Sequence, residues 1–343
     1  MTYSKPKSLD QKLARIHADP SSFRDFILAD AKDADMAFGI AAPGPRRDGS
    51  PGFQSLADYR DQIREIIAQG LVDIMLLSAS NLEKLAIEER LFAASVVTPA
   101  ARANDTSDIW VVRGGRYPRQ ASRSFRSATL DHIMHGMMDA PPQAEVVGAD
   151  LGLYSITFTN DLDWDYKALQ DYHDFRIEAE RRGFRHFLEV FNPNVDPHLG
   201  GGSVAGFLND HVVRTLAGVA SRGRPLFLKI PYNGPAALEE LVAYDPHLVV
   251  GILGGSAGTT LDAFRLIHDA RRHGARVALF GRKINLSEHP LTFIRYLRAI
   301  VEDTITPEEA VRAYHGDLAK LGIKPARALG DDLQISDQAM SYR

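Results

Sequence analysis

The sequence predicts an α/β protein folded as a single (β/α)8 barrel, with an N-terminal helical extension and a polar C-terminal tail. Two observations carry this expectation: eight short apolar runs recur along the 343 residues, and each is followed by loop residues and then a segment of helical spacing. A third argues against a doubly wound open sheet. The glycine runs at Gly200–Gly202 and Gly254–Gly255 lack Gly-x-Gly-x-x-Gly spacing and do not open a first βα unit. Length alone would allow two domains, but no linker interrupts the alternation, so 1–343 reads as one domain.

In chain order, a polar leader of helical character over about residues 9–32 assigns 1–33 to the extension, 34–305 to the barrel, and 306–343 to a C-terminal helix and tail. The strand candidates are Met36–Ile40, Val72–Leu77, Val96–Ala101, Leu153–Phe158, His186–Phe191, Leu226–Ile230, Val249–Leu253 and Arg276–Phe280. Gly70, Gly183, Gly223 and Gly274 stand where helices should close before the next strand. Between the third and fourth runs, residues 106–145 form a long insertion carrying Arg113, Arg116, Arg119, Arg123 and Arg126. Such a segment is a solvated basic loop, an extra helix that pairs with acidic surface on another subunit, or an anion-capturing loop.

Composition narrows the function classes. A hydrophobic fraction of 45% with 24% charged residues is that of an ordinary globular protein, and a net charge of −4 offers no global basic field for nucleic acid. The N-terminus lacks the apolar core of a secretory signal and no run approaches a membrane span, so a cytoplasmic protein with neither nucleic-acid nor membrane partners is expected. The absence of cysteine removes disulfides, thiolate zinc sites and cysteine nucleophiles. The 12 histidines form no H-E-x-x-H, and neither a metal nor another cofactor is expected.

The chemistry concentrates at Lys229, inside Pro225-Leu-Phe-Leu-Lys-Ile-Pro-Tyr-Asn-Gly234. Strand periodicity puts Phe227, Lys229 and Pro231 on one face and Leu226, Leu228 and Ile230 on the other. Burial disfavours the charged form of an amine, and a neutral amine can attack a carbonyl. On the preceding run Glu189 shares a face with Phe187 and Phe191, and neighbouring strands lie about 4.8 Å apart, so Glu189 and Lys229 can meet. Such a pair can relay protons during Schiff-base chemistry, or it can be a buried ion pair that fixes the barrel interior. Tyr232 follows Lys229 at the strand end, where it can orient substrate or simply pack. On the fourth strand the inward face is either Tyr154, Ile156 and Phe158 or Ser155, Thr157 and Thr159, and the polar set fits a lumen better. Loops after the seventh and eighth strands of a barrel commonly hold phosphate, which singles out Gly254, Gly255, Ser256, Gly281 and Arg282.

The segment Lys229-Ile-Pro-Tyr-Asn-Gly234, with Gly254-Gly255-Ser256 and Gly281-Arg282 at intervals of 25 and 27 residues, resembles class I (Schiff-base) aldolases of the DeoC/LacD and archaeal-type fructose-bisphosphate aldolase superfamily. The resemblance covers about residues 185–305 and reaches the N-terminal half only through strand order. It implies metal-free carbon–carbon cleavage or formation through a lysine Schiff base at Lys229, with Glu189 shuttling protons, on a phosphorylated or anionic keto-sugar. It also implies a homo-oligomer. Many relatives carry an aspartate at the end of strand one, whereas Gly39-Ile-Ala-Ala-Pro-Gly44 supplies no carboxylate. Asp105 and Asp161 are the substitutes considered for the base, and Arg102 for holding an anion. The competing readings are a barrel isomerase or metal-assisted enzyme on a sugar phosphate, with Lys229 acting electrostatically, and a non-catalytic sugar-phosphate binding protein.

Overall fold

The computed structural model describes residues 4–22, 24–141, 143–255 and 258–336. Eight parallel strands form the sheet: β1 (Ile27–Lys32), β2 (Ile74–Leu77), β3 (Thr98–Arg102), β4 (Leu151–Thr157), β5 (Arg185–Phe191), β6 (Leu228–Lys229), β7 (Gly251–Leu253) and β8 (Val277–Phe280). They are hydrogen-bonded in the order β6-β5-β4-β3-β2-β1-β8-β7. The bridge between Ile230 and Ile252 joins the two ends and closes the ring. This is a single (β/α)8 TIM barrel. The longer helices are α1 (Ser8–Ala18), α2 (Leu56–Gln69), α3 (Leu162–Arg182), α4 (Val204–Ala217), α5 (Pro235–Tyr244), α6 (Thr260–Arg272), α7 (Pro290–Val301) and α8 (Pro307–Lys320).

Strand alternation divides the interior into two apolar layers. Outward-facing residues such as Leu28, Tyr154, Leu188, Leu228 and Ile252 pack under the helices, and inward ones such as Ile27, Ile74, Leu151, Phe187, Phe227 and Val277 fill the lumen. Leu9, Leu13 and Ile16 of α1 belong to the lumen layer. Their spacing gives α1 one apolar stripe, and since they meet residues from the strand starts, the helix plugs the amino-terminal mouth. Lys7 fastens that plug through its ammonium to the carbonyl oxygens of Phe92, Ser95 and Val97 at 2.7, 2.7 and 2.9 Å.

Seven of the eight expected strands lie where the apolar runs put them; the first does not. Met36–Ile40 is a short helix and 3-10 turn, and strand one is Ile27–Lys32, inside the segment expected to be helical. The helical extension is therefore Ser8–Ala18 and the barrel begins before residue 34. The physical reason is that β1 buries two charged side chains, Asp30 and Lys32, which breaks the apolar signature of a parallel strand. Gly70 and Gly183 close α2 and α3 in the left-handed conformation, whereas Gly223 lies in a separate 3-10 turn.

Candidate active site

Pairing register places the central side chains. Ser155 on β4 is opposite Glu189 on β5, and Glu189 is opposite Lys229 on β6, so the three face the lumen side by side near the carboxyl ends of their strands. The Lys229 ammonium lies 2.5 Å from Glu189 Oε1. Glu189 Oε2 accepts the Ser155 hydroxyl at 2.6 Å and lies 3.6 Å from an Arg102 nitrogen. Arg102 in turn donates to Asp33 Oδ2 at 2.6 Å and to Ser155 Oγ at 3.1 Å. The backbone of Ser155 is held by the Asn104 amide, which accepts from its N–H at 2.6 Å and donates to its carbonyl at 2.8 Å. All four charged groups are buried, with Glu189 only 1% exposed. Charge alternates along the chain Lys229, Glu189, Arg102, Asp33, so each buried ion has an opposite neighbour, as burial of charge requires.

Above this row lies a cavity of about 420 Å³. Lys229, Glu189, Arg102 and Asp33 form its floor; Ala37, Phe38, Ile109 and Val111 give apolar walls; Gly254, Gly255, Gly281 and Arg282 reach its other side. The long insertion supplies one wall, tied to the loop after β1 by the Val111 N–H donating to Ala37 O at 2.9 Å.

The glycines at this rim have local reasons to be glycine. A side chain at Gly254 would meet the Phe280 ring at 2.4 Å, and one at Gly281 would meet Ala31 O at 2.8 Å, so both let neighbouring strands approach. The Gly254 N–H already donates to Leu279 O at 2.7 Å and is not available to a ligand. Arg282 lines the cavity, its guanidinium lies 5.5 Å from the Phe38 ring centroid, and that guanidinium has no ion-pair or hydrogen-bond partner among the described residues. Ser256 lies outside the described residues.

Three expected candidates are placed elsewhere. Tyr232 packs in the strand–helix layer and is not among the cavity's lining residues, because three residues after inward-facing Lys229 the alternation points outward. Asp105 accepts the Ser127 hydroxyl at 2.8 Å in a two-stranded ladder with Phe125, away from the cavity lining. Asp161 caps α3 by accepting the N–H groups of Asp163 and Trp164. Among the described residues no group of three or more histidine or acidic side chains could hold a metal ion.

The sequence matches no family model and no curated protein. Solved structures do match. A Schiff-base-forming fructose-1,6-bisphosphate aldolase is 16% identical, with a TM-score of 0.59 over 86% of this chain and 100% of that one. An archaeal fructose-1,6-bisphosphate aldolase, its catalytic lysine bound to the carbinolamine intermediate of its substrate, is 15% identical with a TM-score of 0.60 over the same shares. The fructose-bisphosphate aldolase from Slackia heliotrinireducens is 12% identical with a TM-score of 0.62 over 90% and 91%.

The chain has the fold of the archaeal-type class I aldolases. Within that aldolase fold, sequence reasoning missed Asp33, Ser155 as a partner of Glu189, and Asp108. Asp33 sits directly after β1, so strand one at Ile27–Lys32 ends on a carboxylate that a strand at Met36–Ile40 would lack. Asp108 lines the cavity from the insertion, its two oxygens accepting the hydroxyls of Ser122 at 2.6 Å and Thr157 at 2.9 Å. The polar inward face of β4 was a signal for both Ser155 and Thr157; Asp108 had none.

Proposed function

We propose that this protein is a class I aldolase that cleaves or forms a carbon–carbon bond in a phosphorylated or otherwise anionic keto-sugar through a Schiff base on Lys229. The contact of Lys229 with Glu189 on the floor of the carboxyl-end cavity carries the reading. The carboxylate can take a proton from the ammonium, leaving Nζ with a lone pair that attacks the substrate ketone. Glu189 then returns the proton to the carbinolamine oxygen, which leaves as water and gives the iminium. A base removes the proton of the hydroxyl beyond the scissile bond. That bond breaks, the aldehyde departs, and its electron pair flows into the iminium to give an enamine. Protonation at carbon and hydrolysis free Lys229. Asp33, at the end of β1 and lining the same cavity, is the residue assigned to the hydroxyl proton. Ser155 and Arg102 position Glu189.

Retro-aldol turnover of ketose 1-phosphates tests this directly. Activity should persist in EDTA and fall on the order of 10³-fold or more in Lys229→Met. Activity that EDTA abolishes and Lys229→Met retains contradicts the reading. The homo-oligomer expected from the resemblance is tested separately by light scattering.

A further inference from the structure

The cavity is lined by three acidic and three basic side chains: Asp33, Asp108, Glu189, and Arg102, Lys229, Arg282. Four of these neutralise one another, Arg102 with Asp33 and Lys229 with Glu189. What remains is one cation and one anion. Arg282 has no acidic partner among the described residues, while Asp108 is held only by the neutral hydroxyls of Ser122 and Thr157. The strand order sets these two apart. Arg282 follows β8, whereas Asp108 follows β3 and is fastened to Thr157 at the end of β4, and strands three and four lie across an eight-membered ring from strands seven and eight. Ile109 and Val111, beside Asp108 on the same wall, add no positive charge.

We propose that the cavity takes a substrate with one anionic group, seated at Arg282, whose far end is uncharged, and that Asp108 excludes a second anion from that end. A bisphosphate would set its second phosphate toward a fixed carboxylate in a pocket whose only unanswered cation among the described residues is already engaged, and like charges at close range in a restricted cavity are strongly disfavoured. A neutral end bearing hydroxyl groups instead donates to Asp108 and packs on Ile109 and Val111. The inference deepens the Schiff-base reading and rests on it for the substrate's being a ketose.

Calorimetric binding of glucitol 1-phosphate and glucitol 1,6-bisphosphate to the wild-type protein separates the two questions, since neither ligand has a carbonyl. The monophosphate should bind about tenfold or more tightly than the bisphosphate, and Asp108→Asn, which keeps the shape, should narrow that ratio by about fivefold or more. Equal or tighter binding of the bisphosphate, or a ratio unchanged in Asp108→Asn, overturns the inference. If the monophosphate preference and its dependence on Asp108 hold, but borohydride with fructose 1-phosphate leaves no adduct on Lys229, the charge assignment stands and the Schiff-base reading falls.

Discussion

Glu189 receives the Lys229 ammonium on one oxygen and the Ser155 hydroxyl on the other, with Arg102 close behind. A carboxylate so arranged can gain or release a proton without moving, because strand register sets Ser155 and Lys229 directly beside it. Glu189→Gln should lower kcat by about 10²–10⁴-fold, the usual contribution of a positioned proton carrier, with a smaller change in KM. Tyr232→Phe should leave kcat essentially unchanged, since that side chain packs outside the cavity; a large loss would return Tyr232 to the site. Lys229 and Glu189 were legible because a charge within an apolar run has only two faces to choose from. Asp108 was not, because the contact that fixes it joins residues 108 and 157, 49 positions apart in the chain, and nothing local in either segment announces it.

At the scale of the element, β1 is where sequence and structure part. Its Asp30 and Lys32 both point outward beneath α2, fully buried, with their charged atoms 3.4 Å apart, and Lys32 lies 5.7 Å from the Tyr59 ring centroid. Among the described residues neither Asp30 oxygen nor the Tyr59 hydroxyl has a hydrogen-bond partner of good geometry. Burial pushes the Asp30 carboxyl up to about 6, against the pull of Lys32, and pushes the Lys32 amine down. Folded Asp30 thus holds its proton more tightly than the unfolded chain does. Its contribution to stability is present below about pH 4 and is lost as pH rises through about 6. Denaturant midpoints measured across that window should show the decline in the parent and a flatter profile in the double variant Asp30→Asn/Lys32→Met. At pH 7 the double variant should lie within about 2 kcal/mol of the parent, whereas Asp30→Asn alone, which strands a buried amine, should lose about 3–5 kcal/mol. An unchanged slope in the double variant would locate the acid-side dependence elsewhere. The same two charges hid the strand from a reading based on apolar runs, and with it Asp33.

Over the whole molecule, the barrel was readable because strand and helix segments alternate along the chain and most of its strands are continuous apolar runs. Its amino-terminal closure was not readable. Asp73, just before β2, accepts from the Leu28 N–H at 2.8 Å, Lys12 of α1 at 2.8 Å and Arg298 of α7 at 2.7 Å, fastening plug, first strand and outer helix at one point. Desolvation alone would raise its pKa, but Arg298 and Lys12 outweigh it and hold the carboxyl below its ordinary value. The stability it supplies is present above about pH 4 and is lost as pH falls through the depressed pKa. Asp73→Asn should cost about 3–5 kcal/mol at pH 7 and less at lower pH, read from urea unfolding; a cost that does not shrink on acidification would contradict the assignment. The opposite end of the barrel holds the four floor charges and Arg282 around one cavity. The most direct measurement is borohydride reduction in the presence of dihydroxyacetone phosphate or fructose 1-phosphate, followed by peptide mass mapping. The account predicts one reduced adduct, on the peptide containing Lys229 and not on that containing the fully buried Lys32. An adduct on another lysine, or none while the ketose is being turned over, would contradict it.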